Sequence, residues 1–477
     1  IDVDNVIHWL LTMQRPDGGW GEEWAPMYRD VPTLAAILAL RSQDQCARIN
    51  KAWNDGVRFL EEQSTCLQAE DGEYLSAAIE LIVPTLLDQA GDMGLYLVRE
   101  RFRYLEDLGA QRRRLIASHP PVRDSPPLFS WEAWGTDPAP ELVGCGGVGH
   151  SPAATAWWLH LDAGRTATGS VRERAASAIV RASYAAGTGT VGLVPGAWPM
   201  NRFEQSFVLY TVATAGLLTH PKLISTLAPQ LEDMRSALTY RGLGFSDTFA
   251  PDGDDTAAAV AALTLAGLPV DCAVLRPFQR AAHFVAYPFE THGSYTVTAR
   301  AVQALRILGY PAQQWIASIL DAQQCDGWWP SDKWSASRLY GTYVALAALD
   351  ESAGYAKVAA AEAFLRYQHS DGGWGCFGQS TLVETAFGVF ALRSIAAETG
   401  RGGDRACCEA LAAAHRYLRT MYDPHRIGTE YIWLTKDLGC VRHIDHALIL
   451  CALLVSANPA PVPGWIMDAA QTKVRVR

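Results

Sequence analysis

Asp252, Asp254 and Asp255 place three carboxylates within four positions, in the run Asp252-Gly253-Asp254-Asp255-Thr256. The preceding stretch, 241–251, is broken by Gly242, Gly244 and Pro251 and reads as a turn; the alanine-rich run that follows reads as a helix. Asp is a good N-cap, and acidic residues in a first turn suit the helix dipole, so capping explains one carboxylate. It does not explain three. Crowded into an apolar setting, like charges retain a proton on at least one member. The result is a carboxylic acid still protonated at neutral pH, a tool for protonating something weakly basic.

The elements that must hold this cluster announce themselves by repetition. Gln14–Trp20 (QRPDGGW) recurs as Gln323–Trp329 (QQCDGWW) and Gln368–Trp374 (QHSDGGW), sharing Gln-x-x-Asp-Gly-x-Trp. Each copy lies between apolar runs of helical period, as expected of helical hairpins that stack to bury their faces. Gly closes one helix, Asp starts the turn, and Gln and Trp lock it to a neighbour. These positions are structural staples. Strand-like alternation is almost absent, so the fold class is all-α. Residues 46–203 lack the repeat and are richer in Pro and loops. One helical domain interrupted by another is therefore expected, with 1–45 and 204–477 forming one domain and 46–203 inserted.

The 477 residues are 49% apolar and 19% charged, enough for a large buried core. The 16 Trp hint at a cationic or π-rich ligand. A net charge of −10 without a basic tract argues against nucleic acid as partner. No uninterrupted apolar run is long enough for a membrane span, and no signal peptide is read. The ten cysteines are scattered, and Cys407, Cys408 and His415 lack zinc spacing, which fits buried thiols in a reducing, cytoplasmic and plausibly bacterial setting. Nothing in the sequence speaks to oligomeric state.

The repeats resemble the QW motif of cyclases related to squalene–hopene cyclase, and Asp252–Asp255 resembles the DxDD motif of class II terpene cyclases. Glu80–Pro84 (ELIVP), Ser151–Ala156 (SPAATA), Trp334–Tyr340 (WSASRLY) and Trp433–Leu438 (WLTKDL) are similar to further landmarks of the members that use prenyl diphosphates, in family order. The resemblance implies two α-barrel domains, β and γ, with γ inserted into β and an apolar cavity at their interface. No D-D-x-x-D motif is present, so the class I domain that ionises the diphosphate is not expected and the product keeps its diphosphate.

By the same resemblance, Asp254 is the general acid toward the terminal alkene of a linear prenyl chain, and Asp252 and Asp255 tune it. An alkene is so weak a base that the acid must be neutral, aimed and shielded from water. Aromatic faces stabilise passing cations. Phe129, Trp198, Trp334 and Tyr340 are expected in the cavity lining, with Trp131, Trp134, Trp157 and Trp328 as further aromatics that ordinary core packing explains equally well. Lys436 is the expected diphosphate ligand, against a solvated lysine beside Asp437. Arg300 stands where family members often carry His and is a second candidate cation near the diphosphate. Glu70, Asp71 and Glu73 resemble an acidic site linked to magnesium, so Mg²⁺ is an expected cofactor. Phe129 and Gly196 replace the His and Asn that take the final proton in plant ent-copalyl enzymes.

These departures lean the substrate toward farnesyl diphosphate, giving a drimenyl-type product, over geranylgeranyl diphosphate, giving a copalyl-type one. A squalene- or meroterpenoid-type cyclase, a carboxylate glycosidase and a non-catalytic α-toroid binding module are the competing readings. A binding toroid has no use for three clustered aspartates.

Overall fold

The computed structural model describes residues 3–44, 46–63, 76–97, 99–163, 169–187, 190–290, 293–332, 334–398, 405–426, 428 and 430–457. The chain divides into two compact units. The first comprises Ile1–Pro199, Thr248–Ala250 and Trp433–Gly439; the second comprises Met200–Asp247, Pro251–Ile432 and Cys440–Arg477. Among the described residues no helix is long and apolar enough to cross a membrane, and the described cysteines are free thiols.

The first unit holds α1 (Val3–Met13), α2 (Asp30–Arg41), α3 (Ala47–Glu62), α4 (Ile79–Asp92), α5 (Arg103–Ser118), α6 (Pro152–Leu161) and α7 (Gly169–Ala185). Helices α2, α3 and α4 bury a core around Trp20, Leu34, Ile37, Phe59 and Val83. A second core, around Trp131, Val143, Val148 and Trp158, lies beneath the short hairpin of β1 (Val143–Gly144) and β2 (Gly147–Val148). A second hairpin, β3 (Trp433–Leu434) with β4 (Leu438–Gly439), returns to this unit from far along the chain.

The second unit is a closed helical ring. Its helices are α8 (Asn201–Thr214), α9 (Ile224–Ala237), α10 (Gly253–Leu265), α11 (Tyr295–Ile307), α12 (Gln313–Asp321), α13 (Arg338–Ala348), α14 (Gly354–Arg366), α15 (Leu382–Glu398), α16 (Arg405–Met421) and α17 (Arg442–Ser456). Helix α8 packs on α10, α10 on α11, α11 on α13, α13 on α15, α15 on α17, and α17 back on α8. Helices α9, α12, α14 and α16 lie against members of this ring. Composition follows position. Helix α10 is buried on every side from Gly253 to Leu263, as a helix apolar all round must be. Helix α16 instead buries one stripe, Cys407, Ala410, Leu411, Ala414, Tyr417 and Leu418.

The three repeats adopt the same turn. Gln14, Gln323 and Gln368 each donate from Nε2 to the carbonyl four residues on, at 2.8, 3.0 and 2.8 Å, and to a carbonyl of a following helix, at 2.8, 3.0 and 2.9 Å. Trp20, Trp329 and Trp374 donate from Nε1 to the carbonyl ten residues back, at 2.8, 2.6 and 2.8 Å. Gly18, Gly327 and Gly372 all have φ near +93°, where a side chain would be strained. One side chain thus closes its own turn and ties it to the helix after next. Gln368→Ala removes the hydrogen bonds to the carbonyls of Gly372 and Ala410, and should cost about 1–3 kcal/mol. Urea unfolding compared with wild type measures it.

Candidate active site

Gly253 explains how the acidic run is built. A Cβ there would stand 2.5 Å from the Val285 carbonyl oxygen, so only glycine lets the chain pass between Asp252 and Asp254 at this depth. Asp252 caps α10, its Oδ1 accepting the Asp255 backbone N–H at 2.8 Å. Asp255 accepts a hydrogen bond from Ser206 Oγ on α8 at 2.8 Å. Asp254 belongs to the first turn of α10 but faces a different partner. Arg300 Nε, in the second turn of α11, donates to Asp254 Oδ1 at 2.6 Å.

Arg300 is 1% exposed. Its Nη2 donates to Tyr340 Oη on α13 at 2.9 Å, and its guanidinium carbon lies 4.5 Å and 4.7 Å from the ring centroids of Phe207 and Tyr210 on α8. Four ring helices therefore converge on one guanidinium. Sequence reasoning set Arg300 near a diphosphate; the structure shows it buried beside Asp254. Tyr340, expected in the lining, turns its hydroxyl to Arg300 and packs edge-on against Phe387 at 5.5 Å.

The carboxylates are not equivalent. Burial, with Asp255 beside it, holds the Asp252 carboxyl well above the usual range. Burial pushes Asp255 up to about 6, with hydrogen bonds from Asp252 and Ser206 opposing the rise. So the cluster holds at least one proton near neutrality, as three crowded carboxylates should.

The first unit gathers a separate set. Lys436, between β3 and β4, has its Nζ hydrogen-bonded to a Glu132 carboxylate oxygen and to Ser151 Oγ, the latter at 2.6 Å. The ammonium lies 4.6 Å from the Phe129 ring centroid. Burial pushes its pKa down, opposed by Glu132. Lys436 is thus a buried, paired cation and not a solvated one. Gly196 sits against Thr435, where a Cβ would meet Oγ1 at 2.5 Å. Trp198 lies under Arg181, 5.2 Å from guanidinium carbon to ring centroid. Trp131 is core, with Trp134 and Trp157 packed against it. Trp328 packs edge-on against Phe364 with ring centroids 4.7 Å apart, and Trp334 is half-buried in the second unit.

Sequence reasoning missed Ser206 and Glu132. Ser206 has no local signal, because it meets Asp255 only through ring packing. Glu132 was legible as a carboxylate close to Phe129, but its partner lies at the far end of the chain.

A closed helical ring with a buried, proton-holding aspartate cluster at the mouth of α10 defines an acid-initiated cyclase. No family model matches the chain. It is 40% identical over 464 residues to (+)-kolavenyl diphosphate synthase of Herpetosiphon aurantiacus, covering 94% of this chain and 89% of that one. It is 30% identical to copalyl diphosphate synthase of Streptomyces cyslabdanicus, covering 94% and 87%. The structure of ent-copalyl diphosphate synthase from Streptomyces platensis matches with a TM-score of 0.77 at 25% identity, covering 95% and 92%. The chain belongs to the class II terpene cyclases of prenyl diphosphates, which begin cyclisation by protonating the substrate.

The magnesium expectation does not hold. Class II cyclisation is started by a proton, and magnesium is the cofactor of class I cyclases. Among the described residues no group of three or more His, Cys, Asp or Glu could hold a metal ion. Glu70, Asp71 and Glu73 lie outside the described residues.

A carboxyl with a folded pKa near 6 and an unfolded value near 3.9 favours folding most below both values and loses that stability as pH rises through the higher one. For Asp255 the loss is roughly 3 kcal/mol across that window. Asp255→Asn keeps an acceptor for Ser206 and cannot ionise. Its melting temperature should fall less than that of wild type between pH 4 and pH 7, as thermal melts across that range would record.

Proposed function

We propose that this chain cyclises geranylgeranyl diphosphate to a bicyclic, kolavenyl- or copalyl-type diphosphate, with Asp254 as the general acid. The carrying observation is Asp254 itself, 8% exposed and fixed by one oxygen to a buried guanidinium. Its proton passes to the terminal alkene and leaves a tertiary carbocation and a carboxylate. Successive double bonds attack the cation and close a decalin; loss of a proton restores an alkene. The sum is an isomerisation with the diphosphate intact.

Asp252 and Asp255 act on Asp254 by charge and by holding the first turn of α10. Phe129, Trp198, Trp334 and Tyr340 supply aromatic walls, and Lys436 binds the diphosphate by exchanging Glu132 for phosphate oxygens. In this reading 46–203 is the γ domain, and 1–45 with 204–477 the β domain. The C20 substrate is supported by relatives named as kolavenyl and copalyl diphosphate synthases. The farnesyl reading, with a drimenyl-type product, rests on the replacement of the proton-accepting pair by Phe129 and Gly196 and on the bulk of Phe129 and Trp198. Each of those rings already carries a cation, Lys436 and Arg181 respectively, which is a use other than shortening a cavity.

The test is product analysis. Purified protein is incubated separately with geranylgeranyl and farnesyl diphosphate, treated with phosphatase and examined by GC–MS. A bicyclic C20 alcohol is expected, with Asp254→Asn reducing its rate by roughly 10²–10⁴-fold. A bicyclic C15 alcohol alone transfers the assignment to farnesyl diphosphate. Linear alcohols alone from both substrates refute the reading. For Lys436→Gln, a KM rise of about tenfold with the same product is expected if the lysine meets the diphosphate.

A further inference from the structure

We propose that a cavity between the second and third repeat turns binds a small phosphate-type oxyanion, inorganic phosphate or diphosphate, through the Arg338 guanidinium and the Trp328 indole N–H. The site lies within the second unit and does not rest on the cyclase reading.

The sequence marks the place. Each repeat turn uses one tryptophan, Trp20, Trp329 or Trp374, to reach back ten residues. At the position before it the first and third copies carry Gly19 and Gly373, whereas the second carries Trp328. The turn has no need of this additional indole. It forms one wall of a cavity of about 210 Å³, with Arg338, Tyr367, His369, Trp374 and Cys376 among the other walls. Trp328 is 1% exposed, and its Nε1–H is buried without a hydrogen-bond partner. A buried donor left unmatched is costly, and a ligand oxygen would satisfy it.

Arg338, the first residue of α13, lays its guanidinium over two of these rings, 5.0 Å from the Trp328 centroid and 5.2 Å from that of Tyr367. Stacking uses the face of the guanidinium and leaves its N–H edge, the part that takes phosphate oxygens in pairs. Its acidic neighbour Asp326 stands 3.6 Å away, too far for a hydrogen bond, with the two side chains 34% and 35% exposed. Asp326 Oδ1 accepts the Trp328 backbone N–H at 3.3 Å.

The remaining acids nearby are already committed. Glu384 accepts from Ser337 Oγ at 2.6 Å, Thr381 Oγ1 at 3.0 Å and the Cys376 backbone N–H at 3.2 Å. Asp371 Oδ1 accepts from Ser380 Oγ at 2.7 Å and from the Gly373 backbone N–H at 2.9 Å. Ser380 Oγ is in turn bonded to His369 Nδ1 at 3.0 Å. Among the described residues, then, the cavity has donors to spare and its acceptors are taken. The matching ligand is rich in acceptor oxygens and negatively charged. The volume lies below the roughly 300–1,000 Å³ of sites that enclose drug-sized molecules, so it suits a phosphate group and not a folded prenyl chain.

The experiment is isothermal titration calorimetry with inorganic diphosphate on wild type, Arg338→Gln and Trp328→Phe, in buffer free of phosphate and metal. Thermal melts with and without the anion accompany it. Arg338→Gln should weaken binding by about 100-fold. Trp328→Phe deletes the N–H but keeps an aromatic wall, and should weaken it by about tenfold. An event at Lys436 would be common to all three proteins, so the difference between them isolates this cavity. Diphosphate should raise the melting temperature of wild type more than that of either variant, as a ligand bound only by the folded state does.

A parallel titration with geranylgeranyl diphosphate separates the two sources of the anion. Binding that Arg338→Gln weakens to the same degree makes the prenyl diphosphate head an occupant; binding indifferent to Arg338 assigns the cavity to the free anion. Either variant binding inorganic diphosphate as tightly as wild type overturns the inference, as does a wild type that binds none. Should Arg338→Gln fail to fold, Trp328→Phe decides by the same comparison.

Discussion

A guanidinium sealed from water and a carboxyl sealed with it form the interaction on which the second unit depends. Arg300 and Asp254 are held by α8, α10, α11 and α13, each of which presents a side chain to the pair or carries one of its members. Burying charge of this kind is tolerated only when it is paired and hydrogen-bonded. The pairing dictates which side chains the ring must bring inward. Ser206 serves Asp255, Asp252 serves the backbone, and Tyr340 serves Arg300. An all-apolar ring of the same helices would pack as well and would have no acid.

The first unit shows the same economy at another place. Lys436 is buried against Glu132 and Ser151 with an aromatic face below, and one Glu132 oxygen, Oε2, is buried without a hydrogen-bond partner. Breaking such a pair by removing one partner usually costs about 3–5 kcal/mol, because the remaining charge is stranded. The lysine therefore has a structural duty independent of any ligand it meets, and the hairpin that carries it is tied to a loop and a helix start from early in the chain.

Legibility in the sequence followed the range of the interaction. The repeated turns were readable because each is closed by contacts between residues ten positions apart or fewer, and three copies show the spacing. The acidic motif was readable because its members are neighbours. The pairing of Arg300 with Asp254 was not, since it depends on two ring helices lying side by side; only the residue type, set against the family pattern, marked the position as unusual. Ser206 carried no mark at all, and Glu132 only its nearness to Phe129. The magnesium expectation failed for a different reason. A cluster of acidic residues in sequence says nothing about whether the carboxylates converge, and the reaction class needs no metal to start.

The closure of the ring has a consequence for the order in which the molecule can assemble. Helix α8 packs on α10 and on α17, so the first and last described helices of the second unit meet each other. Contacts so distant in sequence form late, after the entropy of a long loop has been lost. While the chain is being synthesised, α10, α11 and α13 have their neighbours early, but α8 and α15 each keep a bare apolar flank until α17 arrives. That interval exposes an open seam in an otherwise dry interior, the kind of surface that chaperones bind and that aggregates when they do not.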